Sequence, residues 1–168
     1  PDLAGTLTQL SQSGPAAFYD GPIAEKLVRF MERNGGLITR EDLASYTSKF
    51  RRPVIIFYKD YSLIAPGLPS SGGIALAQML QMIEPLPLRT LGYHAAEYIH
   101  SLVEAERLAF ADRNYFLGDP DFVEVPVDRL LSDAYLQQRR RLIPAWHAGK
   151  SEGVSHGNPE SPETTHFC

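Results

Sequence analysis

Apolar residues recur every three or four positions over most of this chain, which is the spacing of amphipathic helices. The pattern predicts a first helix that begins near Asp2 and stops at Gly14-Pro15. It predicts a second helix from Pro22 to Asn34-Gly35-Gly36, because a first helical turn tolerates proline and glycine commonly ends a helix. The first part of the chain is therefore expected to be helical.

Capping residues mark the start of two of the shorter predicted helices. Thr39 with Asp42 three residues later predicts a helix of one or two turns that ends near Tyr46. Further along, short helices are predicted over 127–131 and 132–143, the second capped by Ser132. The basic run Arg139-Arg140-Arg141 is expected to be the solvated end of that last helix.

The longest predicted helix covers 93–115. We expect the other helices to pack around it. Its acidic residues could be imagined as general acids or metal ligands, but Glu104 and Arg107 have the spacing of a surface ion pair. The expectation for all of these carboxylates is a solvated or lightly paired face: Glu97, Glu104, Glu106 and Asp112.

The period changes to that of β-strands between residues 53 and 65. β-Branched and aromatic runs flank Lys59-Asp60, which predicts a hairpin with a two-residue turn. The predicted fold class is therefore α+β and predominantly helical, with one small β-hairpin.

A loop rich in serine and glycine, Ser70-Ser71-Gly72-Gly73, precedes a predicted helix that contains Ile74. Exposed backbone N–H groups at such a helix start could hold an anion or a carbonyl oxygen, so the loop is a candidate site-adjacent element. The simpler alternative, which the sequence favours, is that Ser71 caps the helix and the glycines permit close approach to a strand.

Composition excludes several classes of function. The chain is 43% hydrophobic and 21% charged, with a net charge of −4 and a pI near 5.7, which is typical of a globular unit without affinity for nucleic acid. No apolar run approaches the roughly 20 residues of a membrane span.

The single cysteine cannot form an internal disulfide. No metal site is predicted, because the candidate ligands do not have tetrahedral-site spacing: His147, His156, His166 and Cys168.

The last part of the chain suggests self-processing. Residues 144–163 are poor in periodic apolar residues, which predicts a flexible linker. Residues 164–168 read as the start of a strand whose continuation is missing, and we expect this edge to be disordered or to pair with another chain. Threonine is a known nucleophile when it becomes a new amino terminus. The hypothesis is that Thr164 is the catalytic nucleophile and Glu163-Thr164 the processing bond.

Five motifs stand out along the chain: Asn34-Gly35-Gly36-Leu37-Ile38-Thr39-Arg40-Glu41-Asp42-Leu43, Pro69-Ser70-Ser71-Gly72-Gly73, Glu104-Ala105-Glu106-Arg107 with Ala109-Phe110-Ala111-Asp112-Arg113, Leu117-Gly118-Asp119-Pro120-Asp121-Phe122, and Thr164-Thr165-His166. They occur in the order found in the gamma-glutamyltransferase (gamma-glutamyltranspeptidase) family, which the chain resembles over essentially its whole length.

The resemblance implies an αββα N-terminal-nucleophile hydrolase fold, of which this chain would be part. Residues 1–143 would belong to the large subunit and 164–168 to the small one. It implies self-cleavage before Thr164, association of the two products as a heterodimer, and transfer of a γ-glutamyl group from glutathione or a related compound to water or an amine. That chemistry needs no cofactor, and the family suggests a periplasmic or extracellular location. Cys168 stands where the family usually has serine or threonine, and it is assigned no role.

Two classes of function remain open. In the first, the chain is a segment of a γ-glutamyl hydrolase or transferase, and its partners are the remainder of its own precursor and a small-molecule γ-glutamyl substrate. In the second, it is a non-catalytic helical interaction module or a degenerate family member. Because the chain is continuous through Glu163-Thr164, Thr164 has no free amine, and the isolated chain is expected to be inactive.

Overall fold

The computed structural model describes residues 2–145 and 147–158. The chain divides into two compact units, the first ending at Phe50 and the second beginning at Arg51. The predicted strand over 164–168 lies outside the described residues, as do Glu163 and Thr164. No helix in the described part of the chain is long and apolar enough to cross a membrane.

All regular secondary structure in the described residues of the first unit is helical. The helices are α1 (Asp2–Ser13), α2 (Pro15–Tyr19), α3 (Pro22–Asn34) and α4 (Arg40–Ser45). The short α2 was not predicted: Gly14, at φ 61°, breaks the helical run and Pro15 starts it again. Gly35 ends α3 in the left-handed conformation, as predicted.

A reciprocal capping box begins α4. The Thr39 side chain accepts a hydrogen bond from the Asp42 backbone N–H, and the Asp42 carboxylate accepts one from the Thr39 N–H at 2.8 Å. The sequence prediction of a capped helix at Thr39 is confirmed, and the helix ends at Ser45, one residue before the predicted limit.

The second unit opens with the predicted hairpin. Strands β1 (Val54–Tyr58) and β2 (Tyr61–Ala65) pair antiparallel, with Val54 opposite Ala65 and Tyr58 opposite Tyr61. Lys59 takes a positive φ of 52° in the turn. The fully buried Ile56 marks the side of the hairpin that packs on the core.

Helices build the rest of the second unit. They are α5 (Gly72–Ile83), α6 (Leu88–Leu91), α7 (Ala96–Phe116), α8 (Val127–Leu130) and α9 (Asp133–Arg140), followed by a 3-10 turn at Ser151–Gly153. The central helix α7 starts three residues later than predicted, because His94 at φ 62° cannot continue a right-handed helix. One hydrophobic core, contributed mainly by α5, α7 and α9, holds these helices together.

Two expectations about charge are wrong in part: Glu97, Glu106 and Arg141 are exposed as expected, but three other charged side chains are buried. Glu104 and Asp112 on α7 are 4% and 2% exposed, and Arg139 on α9 is 3% exposed, so none belongs to a solvated face. The reason is position: all three lie on the helix faces that meet inside the unit, where each charge has an ion-pair partner. The spacing along each helix predicted exposed side chains, but packing between the helices buries these three.

Candidate functional site

The loop at 70–73 connects the hairpin to α5 through a tight turn. The Ser70 N–H donates to the Gly67 carbonyl at 3.1 Å, and α5 begins at Gly72. Gly73 lies against the hairpin so closely that a Cβ would stand 2.5 Å from the Pro66 carbonyl oxygen and 3.1 Å from the Ala65 Cβ. The expected close approach of a glycine to a strand is confirmed.

Ser71 does not cap α5, contrary to the favoured sequence interpretation. It already has helical backbone angles and its side chain makes no capping hydrogen bond. Instead its hydroxyl accepts a hydrogen bond at 2.9 Å from Nε of Arg113, near the end of α7. The long reach of an arginine on a neighbouring helix therefore decides the orientation of this side chain.

A polar cleft of about 260 Å³ lies beside this contact. Its lining residues are Pro69, Ser71, Arg113, Asn114 and Leu117. Arg113 also donates to the Asn114 side chain at 2.9 Å, and its guanidinium lies 5.5 Å from the centre of the Phe110 ring. A guanidinium beside a hydroxyl is suited to binding a carboxylate or a carbonyl oxygen.

The buried carboxylate of Asp112 has a polar partner at each of its acceptor positions. Its Oδ2 accepts from the Tyr135 hydroxyl at 2.8 Å and from Gln78 Nε2 at 3.1 Å. Its Oδ1 pairs with Arg139 at 3.0 Å and accepts the backbone N–H of Gly157 at 2.9 Å. All four acceptor positions of this carboxylate are used.

The Tyr135 hydroxyl is held in its neutral form. Burial raises the pKa of Tyr135 far above its ordinary value, and the hydrogen bond to Asp112 raises it further. Tyr135 therefore donates to Asp112 throughout the physiological pH range.

A second carboxylate of α7 binds the same downstream segment. Glu104 Oε1 accepts the backbone N–H of Gly149 at 2.9 Å and pairs with Arg107 at 3.3 Å. Along the chain between Gly149 and Gly157, the ring of His156 stacks on Tyr115 with centroids 3.5 Å apart. The 147–158 segment thus follows the surface of α7, although the prediction of a flexible linker over 144–163 stays a prediction.

The described residues contain no group of three or more His, Cys, Asp or Glu side chains close enough to hold a metal ion. Of the four candidate ligands, His147 and His156 lie in the described part of the chain. His166 and Cys168 lie outside it, together with the proposed nucleophile.

Comparison with known proteins assigns the chain. The family model of gamma-glutamyltranspeptidase matches residues 1–168. The chain belongs to the gamma-glutamyltranspeptidase family.

Individual gamma-glutamyltranspeptidase relatives agree with this assignment. A glutathione hydrolase proenzyme from Pseudomonas aeruginosa is 44% identical over 99% of this chain, and the Acylase ACY 1 proenzyme of Pseudomonas sp. strain V22 is 41% identical over 98%. The crystal structure of Helicobacter pylori gamma-glutamyltranspeptidase superposes with a TM-score of 0.81 at 44% identity, covering 93% of this chain and 45% of that one. The chain spans 29 to 30% of the length of these curated relatives.

Sequence reasoning identified the family motif around Asp112 but missed what its residues do. A signal was available: Glu104, Leu108 and Asp112 recur at four-residue spacing, so both carboxylates share a helix face with an apolar residue. A carboxylate on an apolar face must be neutralised or paired, because burying an isolated charge is costly. The sequence could not identify the partners, since Gln78, Tyr135, Arg139 and Gly157 are far from Asp112 along the chain.

Proposed function

We propose that this gamma-glutamyltranspeptidase chain is part of a self-processing enzyme that transfers a γ-glutamyl group from glutathione or a related compound to water, an amino acid or a peptide. The observation that carries the proposal is the match of the family model to the whole chain. It is supported by relatives named glutathione hydrolase proenzyme at 40% and 44% identity.

Thr164 is the proposed nucleophile. In the processing step its hydroxyl oxygen bonds to the carbonyl carbon of Glu163, the Glu163–Thr164 C–N bond breaks, and the hydroxyl proton passes to the released nitrogen. Water then hydrolyses the resulting ester. The products are a chain ending at Glu163 and a chain that begins with Thr164 and has a free α-amine.

The same threonine then performs the proposed transfer. Its α-amine acts as general base while the hydroxyl attacks the γ-glutamyl carbonyl, which releases the amine of the donor and leaves a γ-glutamyl ester on Thr164. Water or an acceptor amine attacks the ester and regenerates the hydroxyl. No step requires a redox change or a cofactor.

The polar cleft beside Ser71 is a proposed neighbour of the substrate site. Support comes from the guanidinium of Arg113, which could attract the α-carboxylate of a γ-glutamyl compound. In this proposal, Ser71 is the residue of the 70–73 loop that forms part of the cleft wall.

The remainder of the precursor is the proposed macromolecular partner. The outward side of the hairpin supports this, because Ile55, Phe57 and Ile64 are 57%, 67% and 77% exposed. These side chains lie on one side of the hairpin by register. A contiguous exposed apolar patch is typical of a surface that is covered in the complete protein.

Mass spectrometry of the full-length parent tests the proposal. We expect two products, one beginning at Thr164, in the wild type and an uncut chain in Thr164→Ala. An uncut wild type without γ-glutamyl anilide turnover would instead favour the non-catalytic interaction module. Rates on glutathione, poly-γ-glutamate and an acylated β-lactam would then identify the substrate class.

A further inference from the structure

We propose that Glu104 and Asp112 are positioning residues for chain cleavage, because they bind the backbone that leads to the processing bond. The inference rests on the proposed cleavage between Glu163 and Thr164. It assigns a purpose to two buried carboxylates that γ-glutamyl transfer by Thr164 does not use.

Both carboxylates bind main-chain N–H groups of one segment. Asp112 accepts from Gly157 at 2.9 Å and Glu104 accepts from Gly149 at 2.9 Å. Hydrogen bonds from backbone amides to an ionised carboxylate are among the stronger ones in proteins. Since the donors are backbone groups, these contacts fix the path of the chain and are independent of its side chains.

A side chain at either contact point would crowd its neighbours, so the segment or the neighbouring side chains would have to move. A Cβ on Gly157 would stand 2.8 Å from both Cδ of Arg139 and Cε2 of Tyr135. A Cβ on Gly149 would stand 2.7 Å from Oε2 of Glu104. By contrast, a Cβ on Gly153, in the same segment, would meet no atom within 4 Å.

The Asp112 contact is rigid because the carboxylate cannot turn. Arg139, Tyr135 and Gln78 hold it from α9 and α5 with distances of 3.0, 2.8 and 3.1 Å. Movement of Gly157 away from Asp112 would leave a buried carboxylate oxygen with one acceptor position unused. The interior of the second unit therefore favours one position of the segment.

The consequence for cleavage follows from chain length. Glu163 lies six positions after Gly157, so the processing bond stays within about 20 Å of Gly157 while this contact is made. If Gly149 were the last fixed point, Glu163 would lie fourteen positions after it and the reach would rise to about 50 Å. The contact therefore restricts where the bond can meet the groups of the parent that polarise its carbonyl.

The two tether lengths, from Gly157 and from Gly149, also give the expected size of the effect on the cleavage rate. The local concentration of a chain end falls roughly as the −3/2 power of tether length, so loss of the Gly157 contact should slow cleavage about fourfold. Misplacement of the reacting groups by an ångström can add up to about a hundredfold.

The test uses the full-length parent with Gly157→Ala and Gly149→Ala, and with Gly153→Ala as the matched control. The rate of appearance of the product beginning at Thr164 is followed by mass spectrometry. We expect Gly157→Ala to slow cleavage at least fourfold, Gly149→Ala to slow it less, and Gly153→Ala to cleave at the wild-type rate. Equal rates for Gly157→Ala and Gly153→Ala would overturn the inference.

A second pair of variants separates positioning from folding. Glu104→Gln keeps the acceptor oxygen for Gly149 and should cleave near the wild-type rate, whereas Glu104→Leu removes the acceptor and should cleave more slowly. Melting temperatures of the uncut forms are measured with Thr164→Ala added. If variants with equal melting temperatures are cleaved at equal rates, whether or not they keep the contact, the slowing is due to lost stability and the positioning role is wrong. A wild type that is never cut would overturn the proposed function itself, which is a distinguishable result.

Discussion

The carboxylate of Asp112 on α7 and the guanidinium of Arg139 on α9 form an ion pair at 3.0 Å, with exposed fractions of 2% and 3%. Arg139 also donates to the Leu108 carbonyl at 2.9 Å. The cost of burying such a pair is offset by hydrogen bonds at its other polar positions. Neighbouring groups from α5, α9 and the 147–158 segment fill those of Asp112, whereas the buried Nε of Arg139 has no hydrogen-bond partner among the described residues.

Removing one member of this pair should destabilise the protein severely. Asp112→Ala leaves the guanidinium buried without its counter-charge, and we expect a loss of about 3–5 kcal/mol. The double variant Asp112→Leu with Arg139→Met buries neither charge and should lose less. Denaturant unfolding of the full-length parent, held uncut by Thr164→Ala, measures both, and equal losses would show that the pairing is unimportant.

The Tyr135 hydroxyl should contribute to stability in a pH-dependent way. Tyr135→Phe removes one donor to the buried carboxylate, at an expected cost of about 1–3 kcal/mol at neutral pH. Since the pKa of Tyr135 is raised by burial and by Asp112, its contribution is fully present below the ordinary tyrosine pKa of about 10 and is lost as pH rises above it. Melting temperatures from pH 7 to 11 should fall more steeply for wild type than for Tyr135→Phe.

The two glycines at the start of α5 should respond differently to the same substitution. Gly73→Ala forces a Cβ to within 2.5 Å of the Pro66 carbonyl oxygen, and the resulting strain should cost about 1–3 kcal/mol. Gly72→Ala would meet only the Ser70 hydroxyl at 3.8 Å, so its effect should stay within about 0.5 kcal/mol. Comparable destabilisation by both would contradict the packing of Gly73 on the hairpin.

The capping box of α4 should make the first unit sensitive to acid. Hydrogen bonds from the backbone and side chain of Thr39 lower the pKa of Asp42 below its ordinary value of 3.8. The stabilisation is therefore present above that value and is lost as pH falls through the lowered pKa. Thr39→Ala removes the side-chain donor to Asp42 but keeps the backbone donor. It should cost about 1 kcal/mol at neutral pH and weaken this acid dependence without abolishing it, which amide exchange in α4 would detect.

Elements that depend on neighbouring residues were predicted well from the sequence. The hairpin, the end of α3 at Gly35 and the caps at Thr39 and Ser132 all form where local patterns indicated. The start of α7 was predicted at the wrong residue, because it depends on the backbone angle of a single residue, His94. The role of Ser71 was predicted wrongly because its partner, Arg113, is distant in sequence.

The sequence by itself determined the family, the order of helices and hairpin, and the candidate nucleophile Thr164, because motifs and periodicity are properties of contiguous residues. Only the tertiary structure decided that Glu104 and Asp112 are interior groups that bind the backbone at Gly149 and Gly157. Those pairs are 45 residues apart in each case, and spacing within one helix contains no information about what packs against it. A buried charge is defined by its partners, and its partners are brought to it by the fold.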